Sequence, residues 1–500
     1  MAPITITKND YYNKQNEIST LESHRPTAHR LIVHYGNFVD TPKLGDLRIR
    51  FKCAVGVCSK TGVIKFIVEE CEDPISTALQ YDECLKESEI IIVSSFENGN
   101  TDSFDTFYFP GFIDTHIHAS QYPNCGIFGN STLLDWLETY TFPLESSLTD
   151  TALSNLTYDA VISQTLKHGT TCAAYYTTID SESSKIMAKL CKEKGQRAFI
   201  GKVCMDQNSP SYYCETLDTC KESSEDVIDY ILNELNSPLI NPIITPRFAV
   251  ACSAELMTFL GQISEKYQLP IQTHLSENIN EIEFVRKLFN DCNSYTDVYH
   301  KFGLLTDKSV FAHCIHLSDS EIDLLAANNS GISHCPISNS SITSGECRVK
   351  HLLKKGLKVG LGSDVSGGYS VSILENARQA LLVSRHLAMS IDDPIQKEES
   401  KLSVADVLYL ATQGGANVLN VNSKIGSFDV GKEFDAQLIN LCVNNSNVAI
   451  FPWQQVNSNS NFSRKERLKV ENIIAKWLFN GDDRNIKSVW IQGKLCHSKT

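Results

Sequence analysis

Residues 110–118 read Pro-Gly-Phe-Ile-Asp-Thr-His-Ile-His, a mostly apolar run that ends in two histidines. The run predicts a buried β-strand over residues 111–116. Because alternate residues of a strand project to the same side, His116 and His118 can reach one metal ion together. Two histidines at this spacing also occur by chance with both rings in water, so their interpretation depends on the rest of the chain.

Seven more apolar runs follow the first, and longer amphipathic segments separate them. The eight predicted strands are residues 111–116, 169–175, 198–204, 243–248, 271–274, 309–313, 331–335 and 359–364. Strands that alternate with helices in this way are typical of a parallel α/β fold. Eight such units over about 290 residues fit a (β/α)₈ TIM-type barrel, which we predict over residues 110–424.

The two ends of the chain have a different pattern. Short β-rich runs precede the predicted barrel at residues 31–34, 47–54 and 63–68, and others follow it at residues 434–440 and 489–493. Neither set is long enough to fold alone. We therefore expect residues 1–109 and 425–500 to combine into a small discontinuous β-sandwich domain, with a helix over about residues 463–479.

Polar side chains end several of the predicted barrel strands. His116, Arg247, His274, His313 and Asp364 each lie at or near the end of one strand. In a (β/α)₈ barrel these ends meet at one mouth, where the chemistry takes place. Histidines together with one carboxylate suit Zn²⁺ and leave one position open for water. The sequence therefore predicts a metal site at this mouth.

The composition limits the partners that we expect. Acidic residues outnumber basic residues by 59 to 45, and the formal net charge is −14. A nucleic-acid groove needs clustered positive charge, so we expect no nucleic-acid partner. No uncharged stretch reaches the roughly 18 residues of a membrane span, so we expect no membrane partner. The 17 cysteines include no Cys-x-x-Cys pair, which favours reduced thiols and a cytoplasmic location.

Longer motifs surround the strand ends. They include His118-Ala-Ser-Gln121, Leu134-Asp-Trp-Leu-Glu-Thr-Tyr-Thr-Phe-Pro143, Thr245-Pro-Arg-Phe248, His274-Leu-Ser-Glu277, His334-Cys-Pro-Ile-Ser-Asn339 and Gly362-Ser-Asp-Val-Ser-Gly-Gly-Tyr369. Together with residues 110–118 they resemble the guanine deaminases, a family of the amidohydrolase superfamily, from about residue 109 to residue 493. The resemblance implies a homodimeric metal-dependent hydrolase that converts guanine to xanthine and ammonia.

By this resemblance one Zn²⁺ per chain would be bound by four residues, His116, His118, His274 and Asp364. The residues themselves also favour a single metal. Binuclear relatives bridge two metals with a lysine at the end of strand four, and residues 243–250 contain no lysine. Lys202, in the third predicted strand, is interpreted as structural.

The resemblance also implies three catalytic residues, Glu277, His313 and Asp364. Glu277 would protonate ring N3 of guanine, for which its pKa has to be raised by a closed site. His313 would orient the attacking water and stabilise the oxyanion. Asp364 would take the water proton and pass it to the leaving amine. The alternative for Glu277 is a solvated residue that opens a helix over residues 277–289.

Guanine recognition requires hydrogen-bond donors to O6 and N7. The candidates are Arg247 and Gln121, and the remaining implied substrate contacts are Phe248, His274, Glu277 and Asp364. An aromatic group in the loop after the first strand either closes over the purine face or packs against the barrel rim. Its members are Trp136, Tyr140 and Phe142.

Two other functions stay open at this stage. The first is a deaminase or dechlorinase of another nitrogen heterocycle, such as a triazine or a pterin. A substrate without a 6-oxo acceptor would leave the buried guanidinium of Arg247 unpaired, at a cost of a few kcal/mol. The second is a non-catalytic scaffold with this fold, which requires missing metal ligands, and none is missing.

Overall fold

The described residues of the β-rich start of the chain form five strands and one short α-helix. The computed structural model describes residues 30–96, 103–127, 133–456 and 463–499. The elements are β1 (Leu31–Lys43), β2 (Asp46–Cys58), β3 (Ile64–Val68), α1 (Pro74–Tyr81), β4 (Ile90–Ser94) and β5 (Thr106–Pro110). β1 and β2 pair antiparallel, and their register shifts twice. Such bulges bend a long strand pair.

Parallel strands follow at each of the eight positions that the sequence predicted. They are β6 (Phe112–His118), β7 (Thr170–Tyr176), β8 (Arg197–Gly201), β9 (Val203–Cys204), β10 (Ile240–Pro242), β11 (Thr245–Pro246), β12 (Ile271–Leu275), β13 (Ser309–His313), β14 (Gly331–His334) and β15 (Lys358–Leu361). The third predicted strand is interrupted and gives β8 and β9. Within the fourth, predicted over residues 243–248, the strand is limited to Thr245–Pro246, and β10 lies just before it. Every residue of β6 and β7 is buried, as expected for a parallel sheet that is covered on both faces.

Helices connect these strands and supply the cover. They are α2 (Leu133–Trp136), α3 (Phe142–Ser147), α4 (Thr151–Lys167), α5 (Ser181–Lys194), α6 (Leu217–Asp229), α7 (Ala254–Tyr267), α8 (Ile279–Leu288), α9 (Tyr295–Lys301), α10 (Asp319–Ala327), α11 (Pro336–Ser341), α12 (Val349–Lys354), α13 (Ile373–Met389), α14 (Pro394–Ser400), α15 (Val404–Tyr409) and α16 (Gly415–Val418). The order of strands and helices is that of an α/β fold, as predicted.

Hydrogen bonds arrange the parallel strands in three pieces. The pieces have the orders β10-β8-β7-β6, β11-β9 and β12-β13-β14-β15. A single parallel bridge from Ile244 to Ile271 links the middle of the set. After β15, the N–H of Asp364 donates to the carbonyl of His116 at 2.9 Å. The end of β15 therefore lies beside the end of β6, and the first and last strands bring their polar residues together.

The C-terminal part of the chain joins the N-terminal strands. Its elements are β16 (Ala436–Asn440), α17 (Arg464–Asn480), β17 (Ile486–Ile491) and β18 (Lys494–Ser498). They complete one eight-stranded sheet of order β18-β17-β16-β5-β1-β2-β3, in which β4 also pairs with β1. The predicted helix near the C-terminus is confirmed within one residue at each end. Parts of the predicted 1–109 segment, residues 1–29 and 97–102, lie outside the described residues, and the sandwich and its boundaries stay predictions.

In the part of the chain that the structure describes, every helix is too short or too polar to span a bilayer.

Candidate active site

Four side chains from three strand ends converge on one point, and we call them the metal cluster: His116, His118, His274 and Asp364. Their ligand atoms all lie within 4.8 Å of one another. Nε2 of His118 lies 3.1 Å from Nε2 of His274, and Nε2 of His116 lies 3.1 Å from Oδ1 of Asp364. The structure thus brings together all four metal ligands that the resemblance implies.

The orientation of the rings fits a bound cation. Nδ1 of His274 lies 2.6 Å from the carbonyl oxygen of Arg247. A carbonyl only accepts, so Nδ1 carries the proton, and the lone pair of Nε2 points to the cluster. Nε2 of His116 is buried without a well-aligned hydrogen bond to any described residue, although the Asp364 carboxylate is near. Imidazole nitrogens and a carboxylate oxygen around one point are the donor set that Zn²⁺ prefers.

The charge of Asp364 suits ligation. Burial opposes its ionisation, but the neighbouring His116, His313 and His118 outweigh burial and hold the pKa of Asp364 well below its usual range. A second, overlapping group could also hold an ion, because His313 and Cys335 lie within 4.8 Å of His116 and Asp364. Both groups contain Asp364. Because its pKa is lowered, this carboxylate is ionised at neutral pH in either group.

His313 connects the metal cluster to Glu277. Nε2 of His313 lies 3.4 Å from Oε2 of Glu277 and 3.7 Å from Oδ2 of Asp364. Its Nδ1 lies 2.8 Å from Oδ1 of Asn339, which can only accept. Burial lowers the pKa of His313, but the Glu277 and Asp364 carboxylates outweigh burial and raise it above the usual value. The three predicted catalytic side chains therefore form one contiguous group.

Glu277 is a buried group of the cleft. Its relative exposure is 3%, and burial raises its pKa to about 7. The helix α8 begins two residues later, with Asn278 as its N-cap. Glu281 accepts from the backbone N–H of Glu277 at 3.0 Å and of Asn278 at 3.2 Å. Because Glu281 satisfies these donors, Glu277 is not needed there, and the alternative of a solvated residue opening a helix over 277–289 is wrong.

One cleft contains the predicted site. Every predicted site residue except His116 lines this cleft. Gln121, Arg247 and Phe248 are among the residues that line this cleft, and we call them the recognition wall. Each of the three is at most 7% exposed, so a ligand there would be shielded from water.

The guanidinium of Arg247 is paired inside the protein. Its Nη1 lies 2.6 Å from Oε2 of Glu145, and its Nη2 lies 3.3 Å from Oε1. Nε2 of Gln121 donates to the same Oε1 at 2.8 Å. From the sequence, the guanidinium of Arg247 is expected to find its hydrogen-bond partner in the substrate. The structure corrects this expectation, because Glu145 already accepts hydrogen bonds from both Arg247 and Gln121.

The three predicted lid aromatics have separate positions. Trp136 lines the cleft. The ring of Phe142 lies under the recognition wall, with its centroid 5.0 Å from Cζ of Arg247, a cation–π distance. Tyr140 packs half-buried against the main hydrophobic core. Of these three aromatic residues, only Trp136 lines the cleft. It is therefore the only one of the three that can cover the face of a bound base.

Two residues near the metal cluster were not predicted. Asp114 accepts from the backbone N–H groups of Ser363 and His116 at 3.0 and 3.2 Å, and it ties the end of β15 to β6. Burial raises its pKa to about 7. The ring of Tyr176, which ends β7, has its centroid 4.5 Å from that of His118. Asp114 lies two residues before His116, so the strand alternation used for the histidines could have found it.

Glu145 is the third residue that the sequence analysis missed. It is fully buried and lies in α3, directly after the aromatic motif at residues 134–143. No periodicity marks it, because its partners Arg247 and Gln121 lie on other elements.

Lys202, which was interpreted as structural, and His334 both lie outside the metal cluster. Nζ of Lys202 forms a buried ion pair with Glu215 at 2.7 Å. His334 belongs to neither metal-binding group, and burial lowers its pKa to about 3. His334 is therefore a neutral packed ring at neutral pH.

The site lies within a known protein family. A model of the Amidohydrolase family matches residues 107–496 of the chain. This match contains every site residue described above, from Asp114 to Asp364. The chain belongs to the amidohydrolase family.

Named relatives of the chain are guanine deaminases. The chain is 42% identical over 471 residues to a probable guanine deaminase of Schizosaccharomyces pombe, covering 94% of this chain and 84% of that one. It is 40% identical over 463 residues to the guanine deaminase of Dictyostelium discoideum, covering 92% and 96%. A solved guanine deaminase from C. acetobutylicum, with guanine bound in its active site, is similar with a TM-score of 0.79 at 33% identity, covering 93% of this chain and 99% of that one.

Proposed function

We propose that the protein catalyses the hydrolytic deamination of guanine to xanthine and ammonia. The observation that carries this proposal is the shared cleft, where the metal cluster, a glutamate with a raised pKa and a wall of donors face one another. The similarity to guanine deaminases over more than nine-tenths of the chain supports the same substrate.

The metal cluster would hold one Zn²⁺ per chain through His116, His118, His274 and Asp364. Bound zinc lowers the pKa of a water molecule towards 7 and so supplies hydroxide at neutral pH. The outward Nδ1–H of His274 is held by the carbonyl of Arg247, and Asp114 fixes the backbone of His116. These supports keep the ligands in place before an ion binds.

The protein groups then move the protons of the reaction. The C2–N bond of guanine breaks, and the oxygen of water becomes the new 2-oxo group. Asp364, ionised at neutral pH, accepts a proton from the attacking water and delivers it to the departing amine. Glu277, with a pKa of about 7, gives a proton to ring N3 as C2 becomes tetrahedral. It regains a proton from the C2 hydroxyl as the 2-oxo group forms. His313 lies between these two carboxylates and orients the water.

The recognition wall would bind the oxidised edge of the purine. Arg247 and Gln121 donate towards O6 and N7, and Phe248 shields these contacts from water. His274, Glu277 and Asp364 contact the substrate from the opposite side. Trp136 covers the face of the base. A ligand with a 6-amino group has no acceptor for these donors, so adenine is expected to bind poorly.

We infer that the eight parallel strands close into one (β/α)₈ barrel over residues 110–424. The bridge between Ile244 and Ile271 and the hydrogen bond from Asp364 to His116 support this closure. Residues 1–109 and 425–500 would form the β-sandwich domain, supported by the sheet that their strands share. A crystal structure of the zinc-loaded protein tests both points.

We also infer a homodimer and a cytoplasmic location. The dimer rests on the family resemblance, and light scattering should give about twice the chain mass of 55.7 kDa. Among the described residues, which include all 17 cysteines, no disulfide bond forms. That supports a reducing compartment, and microscopy of a fluorescent fusion tests it.

The test of the main proposal is direct. Purified protein with quantified metal is mixed with guanine, and xanthine and ammonia are followed, with adenine, cytosine and ammeline in parallel. We expect turnover of guanine alone, abolished by metal removal and restored by zinc. Turnover of ammeline without guanine would instead support a triazine-type substrate. No turnover of guanine with one zinc per chain would overturn the proposal.

A further inference from the structure

Glu145 makes three hydrogen bonds to the recognition wall from outside the cleft. It accepts from Nη1 and Nη2 of Arg247 and from Nε2 of Gln121. Its side chain is fully buried, and it is not among the residues that line the cleft. Glu145 therefore cannot touch a ligand in the cleft, and any effect on the ligand passes through Arg247 and Gln121.

The amide of Gln121 is held at both ends. Its Nε2 donates to the Glu145 carboxylate, which only accepts. Its Oε1 accepts from the backbone N–H of Ser366 at 3.2 Å, which only donates. If the amide were flipped, its oxygen would face the Glu145 carboxylate and its NH₂ group would face the N–H of Ser366, and both contacts would be repulsive. The second Nε2 hydrogen is therefore the polar group that Gln121 has left for the cleft.

The charge of Arg247 is held by the same carboxylate. Burial lowers the pKa of Arg247, but the Glu145 carboxylate outweighs burial, so the pKa rises above the usual value. The ring of Phe142 packs on the guanidinium, with its centroid 5.0 Å from Cζ of Arg247. Arg247 and Gln121 thus offer donors and no acceptor to the cleft.

We propose that Glu145 is a positioning residue that selects a 6-oxo purine over a 6-amino purine, by fixing Arg247 and Gln121 so that both offer only donors to the substrate. This inference rests on the proposed function, because it concerns how the same cleft chooses its base. The carboxylate fixes the direction of the Gln121 amide and the plane of the Arg247 fork. Without it, only Ser366 still holds the amide, so rotation that offers the amide oxygen to a 6-amino group costs less.

The test compares guanine with 2,6-diaminopurine, which carries the same 2-amino group and an amino group in place of O6. For the wild-type protein we expect a kcat/KM ratio of about 10⁴ in favour of guanine, since a site built for hydrogen bonds rejects the wrong partner by such factors. In Glu145→Gln the ratio should fall at least about tenfold, mainly through KM for guanine, because one misaligned donor is worth about that factor. Zinc content should stay at one per chain.

Two further variants separate positioning from packing. Glu145→Asp keeps the charge but shortens the reach, so we expect a ratio between those of wild type and Glu145→Gln. Glu215→Gln breaks a similar buried ion pair, with Lys202, outside the cleft, and should leave the ratio unchanged. If Glu145→Gln does not fold, a wild-type ratio in Glu145→Asp overturns the inference.

The outcomes distinguish the inference from the proposed function. Equal losses of kcat/KM for both purines in Glu145→Gln, with an unchanged ratio, would show a packing role only and overturn the inference. Absence of guanine turnover by the zinc-loaded wild-type protein would overturn the proposed function itself, and with it the 6-oxo selection.

Discussion

The metal cluster and the recognition wall both contribute residues to one cleft, but the fold positions them by different means. The cluster residues lie at the ends of parallel strands, and main-chain hydrogen bonds such as that from Asp364 to His116 fix their spacing. The wall depends on a side-chain ion pair between Arg247 and Glu145, which are 102 residues apart in the chain. If the proposed function is correct, main-chain geometry sets the metal chemistry, and one buried carboxylate sets the polarity that selects the base.

The strongest test of this difference removes a metal ligand. His274→Ala should lose zinc and reduce kcat/KM by at least about 10⁴-fold, since the metal supplies several kcal/mol of transition-state stabilisation. Metal analysis and guanine turnover measure the two effects. His300→Ala, at a ring that is 55% exposed on α9, is the control and should keep both. A His274→Ala protein with full zinc and activity would contradict the assignment.

A second variant separates metal binding from proton transfer within the same side of the cleft. Glu277→Gln should keep one zinc per chain and lose about 10³-fold in kcat, because an amide cannot donate the proton that N3 needs. Glu283→Gln, at an exposed position of α8, is the matched control. Retained turnover in Glu277→Gln would refute its role as proton donor.

The variant Arg247→Ala tests the recognition wall. Removal of the guanidinium should raise KM for guanine by about 100-fold through the lost charged donors, while zinc stays near one per chain. Arg286→Ala, on the exposed side of α8, should change neither quantity. An unchanged KM would remove Arg247 from the recognition scheme and leave the metal cluster as the main determinant of affinity.

The same contrast explains how much could be predicted from the sequence. The eight strands follow from apolar runs, and the polar residues at their ends indicate a metal site, because strand alternation is a local property. The particular set of four proposed ligands comes from the family resemblance. Glu145 could not be predicted, since an ion pair between a helix and a distant strand end leaves no periodic signal. The same holds for Tyr176, whose ring packs against His118 only in the folded chain.

The pH dependence should differ between the two walls. In the proposed mechanism Glu277 donates a proton, and its pKa is about 7, so the form that can donate is present below pH 7 and is lost above it. We expect kcat to fall about tenfold for each pH unit above 7. Arg247 has a raised pKa and stays charged, so KM should stay flat from pH 6 to 9. A rise in KM with an unchanged kcat would reverse these assignments.

The smallest expected effect concerns the aromatic segment beside the recognition wall. Trp136 lines the cleft, so Trp136→Ala should remove its contact with the purine face and raise KM by about fivefold, near the lower end of base–aromatic stacking. Tyr140→Ala is the matched control, because Tyr140 packs against the core; it should lower Tm and leave KM unchanged. Equal KM values for both variants would mean that the segment only completes the rim. A rise in KM that is confined to Trp136→Ala would show that the cleft selects its ligand by the shape of the base as well as by hydrogen-bond polarity.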